Sequence, residues 1–67
     1  MIYEVWSRFG TSESECLGIH DGHNEAMMFA EQMKYNGYPR VDILVYDNED
    51  ESLLYSTSVD VPGREYA

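Results

Sequence analysis

One amphipathic helix, set between two pairs of alternating segments, limits the folds open to this chain. Asp21 is a suitable N-cap because its carboxylate can accept bonds from the free amides of a first helical turn. Asn36 and Gly37 supply a left-handed stop, Pro39 blocks continuation, and Tyr38 is placed to pack back onto the last turn. The sequence therefore predicts a helix over 22–36. Its apolar stripe has helical spacing and consists of Ala26, Phe29, Ala30 and Met33.

The segments on either side of the helix have the period-2 alternation of β-strands. Strands are predicted over 2–9, 15–20, 40–46 and 53–59, with polar turns closing a hairpin before the helix and another after it. The predicted fold class is α+β, ββαββ, with the single helix packed on one face of a small antiparallel sheet. The order of the strands in the sheet does not follow from the pattern.

The chain length predicts one domain over residues 1–60 and a flexible C-terminal tail over 61–67 that contains Pro62 and Gly63. Cys16 is the single cysteine among 67 residues, so an internal disulfide is impossible. A reducing cytoplasm is the simplest compartment for such a chain. The first residues lack the basic and apolar regions of a signal peptide, and no apolar run is long enough to span a membrane.

The charge of the chain excludes several classes of partner. Thirteen acidic residues face four basic ones, for a formal net charge of -9. Direct nucleic-acid binding requires Lys and Arg to displace phosphate counterions, and here the basic residues are scattered among acids. The field should repel nucleic acids and anionic membranes and attract basic protein surfaces. The alternative is that the acidity only keeps a small protein in solution.

A single helix can cover one face of the sheet, which leaves the other face for contact with a partner. The residues expected beneath the helix are Tyr3, Val5, Phe9, Leu17, Ile19, Val41, Ile43, Val45, Leu53 and Tyr55. The opposite face should carry Ile2, Trp6, Leu44, Tyr46 and Leu54, with Glu4, Arg8, Asp42 and Ser56 among them. Large apolar and aromatic side chains on a solvated face are typical of an interface. The alternative is that they pack beneath the tail or across a strand pair.

The sequence contains two candidate sites, one for a metal ion and one for nucleophilic catalysis, and the support for both is weak. Cys16, His20, Asp21 and His23 include transition-metal donors, but their spacing matches no structural zinc pattern. A Cys16–His20 nucleophile pair is also disfavoured, because four residues along a strand separate the two by about 13 Å, although they should share a face. We therefore expect no catalytic residue, no resident metal and no cofactor.

The acidic turns suggest how a partner would be attracted. Carboxylates at Glu13 and Glu15 on one hairpin turn, and between 47 and 51 on the other, can imitate nucleic-acid phosphates to a basic surface. In length, acidity, a single helix on a small sheet and the lack of catalytic motifs, the chain resembles small inhibitors encoded by bacteriophages and mobile elements. The resemblance implies an inhibitor of a host protein. Together with the acidic turns, this predicts an inhibitor that occupies a basic, nucleic-acid-binding surface of that protein.

The sequence thus predicts a small acidic protein-binding module and not an enzyme. The residues predicted to contact the partner are Trp6, Leu44, Tyr46, Leu54, Glu13, Glu15, Asp47, Glu49, Asp50 and Glu51. One alternative is a structural homodimer or accessory subunit that associates through the open sheet face. A remote alternative is a metal-binding protein that uses Cys16, His20 and His23.

Overall fold

The predicted α+β class is confirmed by a computed structural model, which describes residues 1–59. The element order is β1 (Ile2–Ser7), β2 (Glu15–His20), α1 (His23–Tyr35), β3 (Val41–Tyr46) and β4 (Leu53–Ser58). The four strands form an antiparallel sheet in the order β2-β1-β3-β4. The predicted tail over 61–67 lies outside the described residues, as does Asp60.

The helix ends where the sequence signals place it. Gly37 takes the left-handed conformation, with φ 107°, directly after the C-cap residue Asn36. The Tyr38 amide donates to the Met33 carbonyl at 3.2 Å, and the Gly37 amide donates to the Lys34 carbonyl at 3.0 Å. These two bonds form a Schellman motif, which satisfies carbonyls that the helix leaves free.

The start of the helix differs from the prediction by one residue. The N-cap is Gly22 and not Asp21, and no side chain caps the first turn. The Ala26 amide donates to the Gly22 carbonyl at 3.1 Å, which sets the first turn after Asp21. Glu25 folds back over this glycine so closely that a Cβ added to Gly22 would lie 2.7 Å from Glu25 Oε1. The prediction that Asp21 caps the helix is therefore wrong.

The core lies between the helix and the three strands that it covers. Ala26 and Ala30 present small side chains to the sheet and are fully buried, which lets the helix approach closely. The helix backbone approaches β1, β2 and β3 within 8 Å between Cα atoms but does not come this close to β4. The buried cluster consists of Val5, Ala26, Ala30, Val41, Ile43, Val45 and Val59, with Tyr3, Leu17, Met27, Phe29, Met33 and Tyr38 packed against it.

Two β-bulges change which residues face the helix. A register shift between Val5 and Trp6 leaves Leu17 packed against the core, while Ile19 pairs with Glu4 on the opposite face. A second shift, between Val45 and Tyr46, pairs Leu53 with Tyr46 on that same opposite face. A bulge adds one residue to a strand and reverses the alternation beyond it. The predictions that Ile19 and Leu53 lie beneath the helix are therefore wrong.

Candidate protein-binding surface

The sheet face away from the helix is built mainly from alternate residues of the two central strands. We call it the outer face and define it by Ile2, Glu4, Trp6, Asp42, Leu44 and Tyr46. In the register of β1 and β3, Ile2 lies opposite Tyr46, Glu4 opposite Leu44, and Trp6 opposite Asp42. Cross-strand neighbours share a face, so the two strands place these six side chains in one patch.

Leu44 lies at the centre of the outer face and is fully buried, with 0% of its surface exposed. It does not belong to the core cluster beneath the helix. Leu44 is therefore a packing residue in the described conformation, and the expectation that it is exposed for contact with a partner is wrong. The side chains around Leu44 shield it from water, whereas a partner would meet the half-buried Trp6 and Tyr46 first.

Trp6 is held in place by two intramolecular contacts. Its indole Nε1 donates to Glu4 Oε1 at 2.9 Å, and its ring meets the Phe9 ring edge-on with centroids 5.4 Å apart. Phe9 was expected beneath the helix, but Arg8 has φ 55° and ends the strand alternation at Ser7. Ser7 is the last inward residue of β1 and is buried. Phe9 therefore extends the outer face beside Trp6.

Tyr46 and Cys16 flank the acidic side chain of Glu4 on the outer face. Burial raises the pKa of the Tyr46 phenol, and the charge of Glu4 raises it further, as does that of the Cys16 thiolate at alkaline pH. Burial also raises the pKa of the Cys16 thiol, and Glu4 adds to the effect, while a hydrogen bond to the Gly18 carbonyl opposes it. Both groups are therefore neutral at pH 7, so Tyr46 offers a partner an apolar ring with a hydroxyl donor.

Asp42 is a buried acid on the outer face, and no sequence pattern separates it from the other acids. Its Oδ1 accepts a hydrogen bond from Ser58 Oγ at 2.9 Å, and its Oδ2 lies 3.4 Å from Arg40 Nε. These contacts satisfy the carboxylate and tie β4 to β3. Asp42 therefore stabilises the sheet and does not belong to the free negative surface.

The turn between β3 and β4 is the most acidic exposed segment. Asp47 Oδ1 accepts from the Glu49 amide at 2.7 Å, and Asp50 Oδ1 accepts from both Ser52 Oγ and the Ser52 amide. The two Ser52 bonds lower the pKa of Asp50. Asp47 and Asp50 thus shape the turn, while Glu49 and Glu51 are exposed and have no cation beside them among the ion pairs of residues 1–59.

The turn between β1 and β2 is less negative than the sequence suggests. Glu13 Oε1 pairs with Arg8 Nη1 at 2.7 Å, which neutralises one of the two acids predicted there, and Glu15 is exposed. Because β1 and β3 are antiparallel, this turn lies at the opposite end of the sheet from the 47–52 turn. Five strand steps, about 17 Å, separate the two ends. The acids therefore form two separate patches and not one continuous row.

The residues of the remote metal alternative are not brought together. The bulge places Cys16 opposite Trp6 on the outer face, while His20 pairs with Tyr3 on the helix side and packs against the Phe29 ring at 4.9 Å. The expectation that Cys16 and His20 share a face is wrong. His23 lies against the Tyr3 ring, 5.7 Å away. Within residues 1–59, no three such side chains are grouped to hold a metal ion.

Comparisons with known proteins found no protein that is similar to this chain. No family model matches the chain, and neither the curated proteins nor the solved structures give a match. The helix of the described region is neither long nor apolar enough to cross a membrane.

Proposed function

We propose that this protein is a small acidic binding module that occupies a basic surface of another protein. The observation that carries the proposal is the distribution of charge. Each basic side chain within residues 1–59 is engaged in its own chain: Arg8 with Glu13, Arg40 with Asp42, and Lys34 with the Pro39 carbonyl. Most acids, in contrast, are exposed and have no such partner, so the surface presents uncompensated negative charge.

The partner chemistry that fits is a basic, nucleic-acid-binding surface of a larger protein in the cytoplasm, which this module would block as an inhibitor does. Exposed carboxylates at Glu15, Glu49 and Glu51 would speed the encounter by long-range attraction. Trp6 and Tyr46 would anchor the complex, because each offers an apolar body with a polar tip. The lone thiol and the absence of a Cys16–His20 contact fit a binding role better than catalysis.

The test begins with capture of partners from a lysate of the native cell, followed by mass spectrometry and measurement of association rates with the purified partner. A Glu49→Gln/Glu51→Gln variant removes two charges from the acidic turn and leaves the turn-shaping Asp47 and Asp50 in place. The matched control is Asp21→Asn/Glu31→Gln, which changes the net charge equally at two other exposed sites.

If the proposal is right, the turn variant associates about ten times more slowly than the control at low salt, and the difference shrinks as salt screens the field. The partner should also release bound DNA or RNA as this protein is added. Equal association rates for the two variants, or a partner that keeps its nucleic acid, would contradict the proposal.

The alternative function is a structural homodimer that buries the outer face. The observation in its favour is the Trp6–Phe9 aromatic pair on that face. Against it, Leu44 is already buried and the Trp6 indole N–H already has an acceptor in Glu4. Light scattering at high micromolar concentration distinguishes the two functions. A dimer that becomes monomeric on Trp6→Ala substitution would support the alternative, and a monomeric wild type would eliminate it.

A further inference from the structure

From Tyr55 onward, the edge strand β4 lacks the features that usually protect a sheet edge. All six of its residues, Leu53–Ser58, are exposed, and none is charged or a proline. Natural proteins normally protect edges with lysine, proline, bulges or a covering element. The bulge in β4 lies at its first residues, so the stretch from Tyr55 onward pairs regularly with β3. Within residues 1–59, no strand lies on the outer side of β4.

The helix also leaves β4 uncovered. No Cα atom of β4 lies within 8 Å of a Cα atom of α1, whereas the other three strands all approach the helix within that distance. Tyr55 lies on the helix side of the sheet and is 49% exposed, while its cross-strand partner Val45 is 1% exposed. Leu53 on the outer face is 51% exposed. An added strand would therefore find apolar side chains on both faces of β4.

The backbone groups that β4 offers can be assigned from the ladder. The Val59 amide donates to the Val41 carbonyl at 2.9 Å, which makes 41 and 59 a hydrogen-bonded pair. Hydrogen-bonded and non-hydrogen-bonded pairs alternate in an antiparallel ladder. Thr57 and Tyr55 therefore also bond to β3, while Ser56 between them directs its N–H and C=O outward. Ser58 likewise directs its N–H outward.

We propose that β4 is a strand-addition site for an extended, basic segment of a partner protein. This inference rests on the proposed function and specifies how the partner is held. The charge around the edge selects the occupant: residues 41–59 contain no Lys or Arg, and the acidic 47–52 turn immediately precedes β4. The carboxylates of Glu49 and Glu51 would attract lysine or arginine at the end of the added strand that lies beside them. A second copy of this chain would bring a further charge of -9 to the same edge.

The probe is a capped octapeptide of alternating threonine and valine that ends in two lysines, titrated into isotope-labelled full-length protein and followed by NMR. Antiparallel addition to β4 places its last residues beside the 47–52 turn. We expect half-saturation below about 1 mM. The largest amide shifts should fall at Ser56 and Ser58, and the Ser56 amide should become protected from hydrogen exchange on binding. A peptide with glutamate in place of lysine tests the charge. A peptide N-methylated on one hydrogen-bonding edge tests the backbone pairing.

The decisive variant is Ser56→Pro, which removes an outward N–H and leaves the ladder to β3 intact, since proline is tolerated at such edge positions. Ser56→Ala keeps the N–H and is the matched control. We expect Ser56→Pro to weaken peptide binding about ten-fold or more and Ser56→Ala to leave it unchanged. Should Ser56→Pro fail to fold, the N-methylated peptide decides the question on the wild-type protein.

Four results would overturn the proposal. They are no binding at 1 mM, equal binding by the N-methylated peptide, equal binding by Ser56→Pro, and shifts centred on Trp6 and Tyr46 instead of β4. A dimer that dissociates on Ser56→Pro substitution would assign the edge to a second copy. A Ser56 amide protected in the free monomer, and released when the chain is ended at Val59, would assign it to residues 60–67.

Failure of this inference is distinguishable from failure of the proposed function. A captured partner that binds wild type and Ser56→Pro equally, yet responds to the Glu49→Gln/Glu51→Gln change, refutes strand addition and leaves the acidic binding role standing. Peptide addition at β4 without any basic partner in the cell would refute the proposed function alone.

Discussion

Replacing Leu44 by alanine should separate its packing role from any role in partner contact. Leu44 is fully buried, so Leu44→Ala removes three carbon atoms and leaves a cavity in their place. Transfer and cavity effects together amount to about 3 kcal/mol. The matched control is Leu54→Ala, the same chemical change at a residue that is 43% exposed, where we expect less than about 1 kcal/mol.

Urea unfolding, followed by the fluorescence of the single tryptophan Trp6 and by circular dichroism, measures both effects. With a slope of about 1 kcal/mol per molar urea for a domain of this size, the midpoint should fall by about 3 M for Leu44→Ala and by less than 1 M for Leu54→Ala. A domain of 67 residues has a total stability of roughly 3–10 kcal/mol, so Leu44→Ala should remove between about a third and all of it. Midpoints that agree within about 0.5 M for the two variants would refute the reasoning.

Three further predictions concern glycines and the thiol. Gly37→Ala should lower the melting temperature by about 5–10 °C, because φ 107° strains any residue with a Cβ; an unchanged melting temperature would contradict the left-handed cap. Gly18→Ala should lower the free energy of unfolding in urea by about 1–2 kcal/mol, since the new Cβ would lie 2.9 Å from Phe29 Cε2. This loss should vanish in a Phe29→Ala background, and an equal loss in both backgrounds would exclude that contact. At pH 8 the Cys16 thiol should react with iodoacetamide more slowly than an unstructured cysteine peptide, because its raised pKa leaves less thiolate. Mass spectrometry should show the two rates converging in urea. Faster reaction of the folded chain would contradict the raised pKa of Cys16.

The elements with local chemical signals were predictable from the sequence. The C-terminal stop of the helix depends on Gly37 and Tyr38, which act within one turn, so no knowledge of the rest of the fold was needed. The helix stripe at Ala26 and Ala30 was also readable, because its period follows from backbone geometry alone. The ββαββ order and the fold class follow from such local patterns.

The errors in assigning residues to the two sheet faces depend on single backbone irregularities. The bulge opposite Val5 and Trp6 turned Ile19 to the outer face and separated Cys16 from His20. Arg8, with its positive φ, turned Phe9 away from the helix. A period-2 pattern carries no signal for one extra residue or one left-handed residue, yet either reverses every assignment beyond it.

The exposure of the residues in the proposed contact surface was predicted only in part, since burial on the outer face depends on which strands are central. Leu44 lies on the central strand β3 and is buried, whereas Leu54 lies on the edge strand β4 and is exposed to solvent. The strand order decides this difference, and the order arises from long-range pairing that the local pattern does not encode. The binding roles of Trp6, Tyr46 and the turn acids stay predictions.

The pairing of β1 with β3 joins the two hairpins at the middle of the sheet. Ile2 meets Tyr46 across this seam, so more than half of the chain must be synthesised before the first strand acquires its inner neighbour. Neither hairpin alone contains both central strands, and an isolated hairpin is at best marginally stable in water. We therefore expect the domain to fold on the ribosome in one late cooperative step. A nascent chain that ends before Val41 should still be unfolded and sensitive to proteases.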